Sequence, residues 1–426
     1  MASSSSLRIV DVQRTMIHLP FRDRVKPWND LLVAGWGLIE VLEVHTNATG
    51  VIGVGETLVD YTWQRVTDEK IASIIGTNPA EHLFDDSLGA GLQIALLDAV
   101  GQALEVPAYR LLGLPRVREW CPISWWNTKM PPDLLAQEAR QALEEGYLAH
   151  KFKARPWFDV REQVKAIAAV TPNDYLIDID WNGMLRSPGE ALPVLSELDD
   201  LPKIGLYESP IRQDDMIGQQ QLRGRIRRPL AEHYRKDLFP VWMRDDALDA
   251  FVAVCLPGMS GILSQGITAA AFNKTFWLQV VGSGITTAFT AHLGAVLSHA
   301  SWPMVTGMNT FADDLIEQPL TISGGHVKVP TEPGLGISLD RDAVERYRVS
   351  STYQIQTPRH LLTFNVGSAG SRIYGDMLQM WEDCRINHNV PVQPVGATLD
   401  VQVDDGSTEF DRIWRRARQQ PIWSFS

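Results

Sequence analysis

The sequence is poor in cysteine. Cys121, Cys255 and Cys384 are its only three, far apart and without a CxxC pair. That excludes a disulfide framework and a cysteine-rich zinc site, and it fits a reducing cytoplasm. Positive charge is not in excess either: 39 Lys and Arg stand against 51 Asp and Glu, a net charge of −12. Neither a nucleic acid nor an anionic membrane is expected as a partner, because both reward a basic surface. No uninterrupted apolar run is long enough to span a bilayer. The opening MASSSSLRIV has no cationic stretch leading into an apolar one, so no secretory leader is expected. Phosphate-cradling glycine motifs are missing as well: no GxGxxG follows the first strand and no GxxxxGK[ST] occurs.

What is present is an ordinary globular composition, 45% hydrophobic and 21% charged over 426 residues, long enough for more than one domain. The first hundred residues alternate in β-like runs, LRIVDVQRTMIHLP, GLIEVLEVHTN and VIGVGETLV, which predict a three-stranded antiparallel meander. A helical period follows over 88–113, with Leu92, Ala95, Leu96, Ala99, Val100 and Ala103 on one stripe. A small α+β domain over 1–117 is the expectation.

From 118 the rhythm changes. Strand-like runs at 121–126, 148–153, 175–180, 204–209, 228–233, 261–266 and 278–283 alternate with helix-like segments such as LLAQEARQALEEG and VREQVKAIAAVT. Repetition at this spacing predicts a parallel α/β barrel over 118–325, with a doubly wound open sheet as the competitor. Residues 326–350 form a closing segment, and 351–426 an extension with no functional reading beyond packing or assembly.

The chemistry concentrates at the ends of successive strands. Lys151 and Lys153 lie two apart in HKFK and so share a face of a strand. Asp180, Glu208 and Glu232 close the next three strands, one βα unit apart, where a parallel barrel builds its active site. Three converging carboxylates repel unless a cation neutralises them, and a hard divalent ion, Mg²⁺, is the natural occupant. A lysine beside such a site, shifted by desolvation or a neighbouring cation, suits the role of base.

The ordered set GVGE (53–56), GLQIALLDAVGQALEVPAYRLLG (91–113), EEGYLAHKFK (144–153), DWN (180–182), YESP (207–210), AEH (231–233) and PGLGISLD (333–340) resembles the enolase superfamily, in its mandelate racemase/muconate lactonizing enzyme branch. The resemblance covers most of residues 1–350. It implies a modified TIM barrel, (β/α)7β, with an N-terminal α+β capping domain. It also implies Mg²⁺ on Asp180, Glu208 and Glu232, Lys153 as the base, and Lys151 on the substrate carboxylate. Asn182 matches the family's DxN and supports the site. Glu317 aligns with an acid near the substrate carboxylate, and Trp28, Tyr61 and Trp63 fall in capping-domain loops that select substrate. The expected partner is a small-molecule carboxylate, and the expected assembly a homo-oligomer, dimer or octamer.

Two family features are missing. Ser283 stands where a seventh-strand His is common, and the sixth run, GILSQG, carries neither Asp nor Lys. His233 is a candidate for the missing acid, although alternation turns it away from any face that Glu232 points into. His292 and His299, seven apart in TAHLGAVLSHA, read as structural. The expected activity is β-elimination of water from a hydroxy acid, an acid sugar. An epimerase, cycloisomerase or lactonizing reaction, or a non-catalytic metal-binding barrel, are the alternatives.

Overall fold

A computed structural model describes residues 6–255 and 257–424; the outermost residues of both termini, read above within MASSSSLRIV and the C-terminal extension, lie outside the described ones. In chain order the strands are β1 (Ile9–His18), β2 (Leu38–Thr46), β3 (Ile52–Leu58), β4 (Trp120–Pro122), β5 (Trp125–Asn127), β6 (Ala149–Lys153), β7 (Leu176–Asp180), β8 (Ile204–Glu208) and β9 (Leu230–His233). They continue with β10 (Ala250–Val254), β11 (Thr275–Gln279), β12 (Ile322–Ser323), β13 (His326–Lys328), β14 (His360–Asn365), β15 (Ser371–Tyr374), β16 (Thr398–Val403) and β17 (Ile422–Ser424). The main sheet has seven strands in the order β11-β10-β9-β8-β7-β6-β5. The fold is a modified TIM barrel with a capping domain. Chain contacts define two compact units: residues up to 26, 34–126 and 251–355 in one, and 27–33, 127–250 and 356 onward in the other.

In the first unit β1, β2 and β3 pair antiparallel as a meander, as the alternation predicts. The helix Ala90–Ala103 lies on β3, and the GVGE glycines allow it to come close. A Cβ on Gly53 would sit 2.0 Å from the Ala95 carbonyl oxygen, and one on Gly55 2.0 Å from that of Gly91. Asp98 of this helix, 1% exposed, accepts the backbone N–H of Val54 at 2.8 Å and of Leu335 at 2.7 Å, and the Gln102 amide at 2.8 Å. One carboxylate thus ties together three of the sequence motifs. Residues 304–306 run beside β11, where Val305 exchanges hydrogen bonds with Leu278 and Val280. The same segment bonds Pro122 and Ser124 through Met304.

One strand expectation is corrected. GILSQG (261–266) lies within the helix Gly258–Ala271, and the sixth strand is β10, AFVAV. A short apolar run rich in Gly and Ser has no period that separates strand from helix, whereas Phe251, Val252 and Val254 are the β-forming choice. The seventh strand likewise ends at Gln279, ahead of the expected 283. His292 is buried, accepting the Tyr109 N–H and bonding the Leu335 carbonyl oxygen. His299 lies past the end of its helix, which stops at Val296.

In the second unit β6 to β9 are parallel and alternate with the helices Val160–Ala168, Pro188–Leu198 and Met216–Arg223. The helix Pro132–Glu144 precedes β6, with Gly146 at φ 87° in the turn between them, as expected for a helix stop. The C-terminal extension folds as a sheet in the order β16-β14-β15-β17 with the helices Met377–Arg385 and Thr408–Gln419. Its apolar residues Leu362, Phe364, Tyr374, Met377, Met380 and Cys384 share one core with Trp157, Phe158 and Met184. These last three sit in the loops that leave β6 and β7, so the extension is anchored on the loops nearest the strand-end chemistry.

Candidate active site

The register of the parallel strands brings the charged groups into a row. Lys153 is level with Asp180 across β6 and β7, and Asp180 with Glu208 across β7 and β8. In a parallel pair level residues face the same way, so these three side chains share one side of the sheet with Lys151. Lys151 Nζ lies 2.5 Å from Glu208 Oε2 and 3.7 Å from Asp180 Oδ2, and Lys153 Nζ pairs with Asp180 Oδ2. Asp180 and Glu208 are fully buried, and Lys151 is 1% exposed.

The row continues on β9 with Ala231, which is level with Glu208. Alternation then gives His233 the same face as Ala231 and turns Glu232 to the other. His233 Nε2 accordingly meets Glu208 Oε1 at 2.9 Å. Glu232 instead accepts the Ser209 hydroxyl at 2.5 Å and the Gln219 amide at 2.8 Å. Ligand atoms of Asp180, Glu208 and His233 all come within 4.8 Å of one another. Two carboxylates and an imidazole fit a divalent cation: the oxygens suit a hard ion such as Mg²⁺, and the nitrogen widens the choice toward transition metals.

Electrostatics separates the groups. Burial alone raises the Asp180 carboxyl, but the ammoniums of Lys153 and Lys151 outweigh it and hold this acid below the ordinary carboxylate range. Burial lowers Lys153, opposed by Asp180 and assisted by Lys151 and Arg155, so its free amine is available at lower pH than that of an exposed lysine. Burial pushes Glu232 up to about 8 against its bonds to Ser209, Gln213 and Gln219.

Sequence reading missed Arg155, although KFKAR continues the two-residue alternation from Lys151 through Lys153. Arg155 is fully buried. It donates to the Asp180 carbonyl oxygen at 3.1 Å and to Asn182 Oδ1, while the Asn182 N–H donates to Asp180 Oδ1 at 2.9 Å. Asn182 and Ser209 both have left-handed φ, 46° and 48°, a conformation non-glycine residues adopt sparingly and often at functional sites. Lys129 is a second missed cation, fully buried, lowered by burial and by the charges of Arg155 and Lys153, with no hydrogen bond to its Nζ among the described residues.

The structure therefore gathers Lys151, Lys153, Asp180, Asn182, Glu208 and His233. Trp28, in the same unit, packs edge-on against Phe158 at 5.6 Å, beside the core shared with the extension. Tyr61, Trp63 and Glu317 belong to the other unit. Tyr61 accepts the Gln279 amide at 3.0 Å and stacks edge-on with Trp36; Trp63 is 1% exposed and faces Phe289; Glu317 is exposed. In that unit Ser283 caps the helix Gly284–Val296 and gives its hydroxyl and N–H to Glu56, both at 2.7 Å. The corrected sixth strand offers no second base either, since 250–254 reads AFVAV.

Residues 134–343 match the family described as Enolase C-terminal domain-like. The chain is 28% identical over 393 residues to the D-xylonate dehydratase of Haloferax volcanii, covering 80% of this chain and 89% of that one. It is 29% identical over 255 residues to an N-succinylamino acid racemase of an Amycolatopsis species, covering 58% and 67%. Its fold is similar to the crystal structure of the N-succinyl Arg/Lys racemase of Bacillus cereus, with a TM-score of 0.65, 21% identity, and coverage of 80% of this chain against 98% of that one. Fold and strand-end site thus define a barrel enzyme of the enolase type. The chain is similar to members of the enolase superfamily, in the branch of mandelate racemase and muconate lactonizing enzyme. Among the described residues no helix is long and apolar enough to cross a membrane.

Proposed function

We propose that this protein is a metal-dependent lyase that removes the α-proton of a hydroxy carboxylate and expels its β-hydroxyl, an acid-sugar dehydratase. The observation that carries the reading is the row of Lys153, Asp180 and Glu208 across three adjacent strands, with Lys151 paired to both acids. Likeness over most of both chains to an enzyme named for D-xylonate dehydration supports it.

Asp180, Glu208 and His233 would hold the cation, Mg²⁺ by resemblance. When bound, it supplies positive charge against the substrate carboxylate as negative charge builds there. The chain's own residues do the rest. Lys153, its free amine favoured by burial, takes the α-proton. Lys151 holds charge beside the carboxylate and disfavours the protonated form of Lys153. Loss of the β-hydroxyl gives an enol, which ketonises to a 2-keto acid. With the His233 Nε2 turned to the metal set, that nitrogen cannot also donate a proton, and we assign protonation of the departing hydroxyl to Lys153, which carries the proton it removed. Asn182 and Arg155 fix the backbone around Asp180. Among the described residues β10 carries no Lys, Asp or His, and Ser283 is committed to Glu56, which favours elimination over two-base racemisation.

The test is a screen of the purified protein with Mg²⁺ against aldonic and aldaric acids, detecting 2-keto acid. A product that vanishes with chelator and in Lys153→Ala supports the lyase. Inversion at the α-carbon without keto acid would replace it by an epimerase.

A further inference from the structure

The chain carries about a fifth of its length beyond what the Bacillus cereus racemase fold matches, although nearly all of that shorter chain is matched. The C-terminal extension also reaches the site. Its helix Met377–Arg385 buries Met377, Met380 and Cys384 in the core shared with Trp157, Phe158 and Met184. That docking brings Trp381 and Arg385, one turn apart on the helix, to a cavity of about 330 Å³. Its other walls are Asn182, Gly183, Ser209, Ile211, Gln213 and His233, so a residue of the metal set and a residue of the extension line the same space.

The two side chains do different things there. Trp381 lies under the Arg155 guanidinium, 4.6 Å from it. Because Arg155 holds Asn182 and the Asp180 carbonyl, Trp381 acts as a positioning residue. Arg385 is exposed and makes no hydrogen bond or ion pair with any described residue. It passes close over Gly183, where a Cβ would lie 3.2 Å from its Nε. Arg385 therefore brings one guanidinium to the cavity from the extension side, with the buried Arg155 behind Trp381. Guanidinium forks match carboxylate and phosphate oxygens, and the Asn182 amide, whose oxygen faces Arg155, has its N–H groups left to donate to the hydroxyls of a sugar chain.

We propose that the extension is a wall of the active site and that Arg385 is a specificity-determining residue, reading a second anionic group at the far end of the substrate. The preferred substrate is then a dianionic acid sugar, with a terminal carboxylate or phosphate, over the monoacid of the same length. This rests on the carboxylate reading of the strand-end site given above.

The test is calorimetric binding to the full chain with Mg²⁺, using D-gluconate, D-glucarate and 6-phospho-D-gluconate, which share a six-carbon chain. One dianion is expected to bind at least about tenfold more tightly than D-gluconate, the scale of a charge-assisted pair, and which one distinguishes carboxylate from phosphate. Arg385→Gln should cut that advantage to within about threefold, weakening the dianion far more than D-gluconate. Lys153→Ala, unable to turn over, should keep the advantage. D-gluconate binding as tight as both dianions, or an advantage that survives Arg385→Gln, overturns the role of Arg385 alone. Failure of all three to bind with magnesium bound overturns the carboxylate reading, and this proposal with it.

Discussion

The two units bury carboxylates in opposite company. In the first, Glu56 accepts the Ser283 and Thr286 N–H groups at 2.7 and 2.9 Å and the Ser283 hydroxyl, and Asp98 accepts two backbone N–H groups and an amide. Burial raises both acids, Asp98 to about 7, because neutral dipoles do not offset lost hydration. In the second, Asp180 and Glu208 face lysine ammoniums. The same residue types, equally hidden, therefore serve as clamps where they meet N–H groups and as an active site where they meet cations. By this standard Glu232, bonded to a hydroxyl and an amide and raised by burial, belongs with the clamps, despite its place in the strand-end series.

The largest effect expected from breaking this contrast is on turnover. Lys153→Ala should lower kcat by about 10³-fold or more, within the scale of lost acid–base catalysis, while circular dichroism and unfolding midpoint stay near wild type. In the first unit the balance reverses: Glu56→Leu strands the Ser283 and Thr286 N–H groups and should cost about 2–4 kcal/mol of stability in urea unfolding, with activity per folded molecule retained. An equal loss of activity and stability in both variants would dissolve the distinction.

Register supplies the next test. His233→Ala should weaken Mg²⁺ binding, followed by calorimetry, by about tenfold, the order of one lost charge-assisted contact. Glu232→Gln should change it less than His233→Ala does. The reverse ranking would return Glu232 to the metal and free His233 as an acid.

The smallest effect is on pH. Burial holds His150 at about 3 and His292 at about 4, both below the unfolded value near 6.5. Their contribution to stability is complete above about 6.5 and declines as pH falls toward those values, because only the unfolded chain takes up the protons. Unfolding midpoints followed from pH 7 to 4 should fall for wild type and fall less in His292→Gln.

Much of this was legible in the chain. The βα spacing and the KxK, DxN and ES pieces located the barrel and the lysine–carboxylate row, because alternation and strand-end position are local properties. Which of Glu232 and His233 turns toward Glu208 was not legible: it depends on the register of β9 against β8, a nonlocal pairing in which one residue reverses every side chain. The sixth strand was missed because GILSQG and AFVAV are both short apolar runs. Arg385 and Trp381 had no local signal, since only the packing of the extension on the loops after β6 and β7 brings them to the cavity.

The central claim is that the lysine-faced carboxylates form a proton-abstracting site with Lys153 as its base. Incubating an acid-sugar substrate with enzyme and Mg²⁺ in D₂O, with NMR of substrate and product, tests it most directly. Wild type should give 2-keto acid that carries solvent deuterium at C3, and Lys153→Ala should give neither keto acid nor α-exchange while still binding Mg²⁺. Keto acid formation or α-exchange that persists in Lys153→Ala would contradict the account.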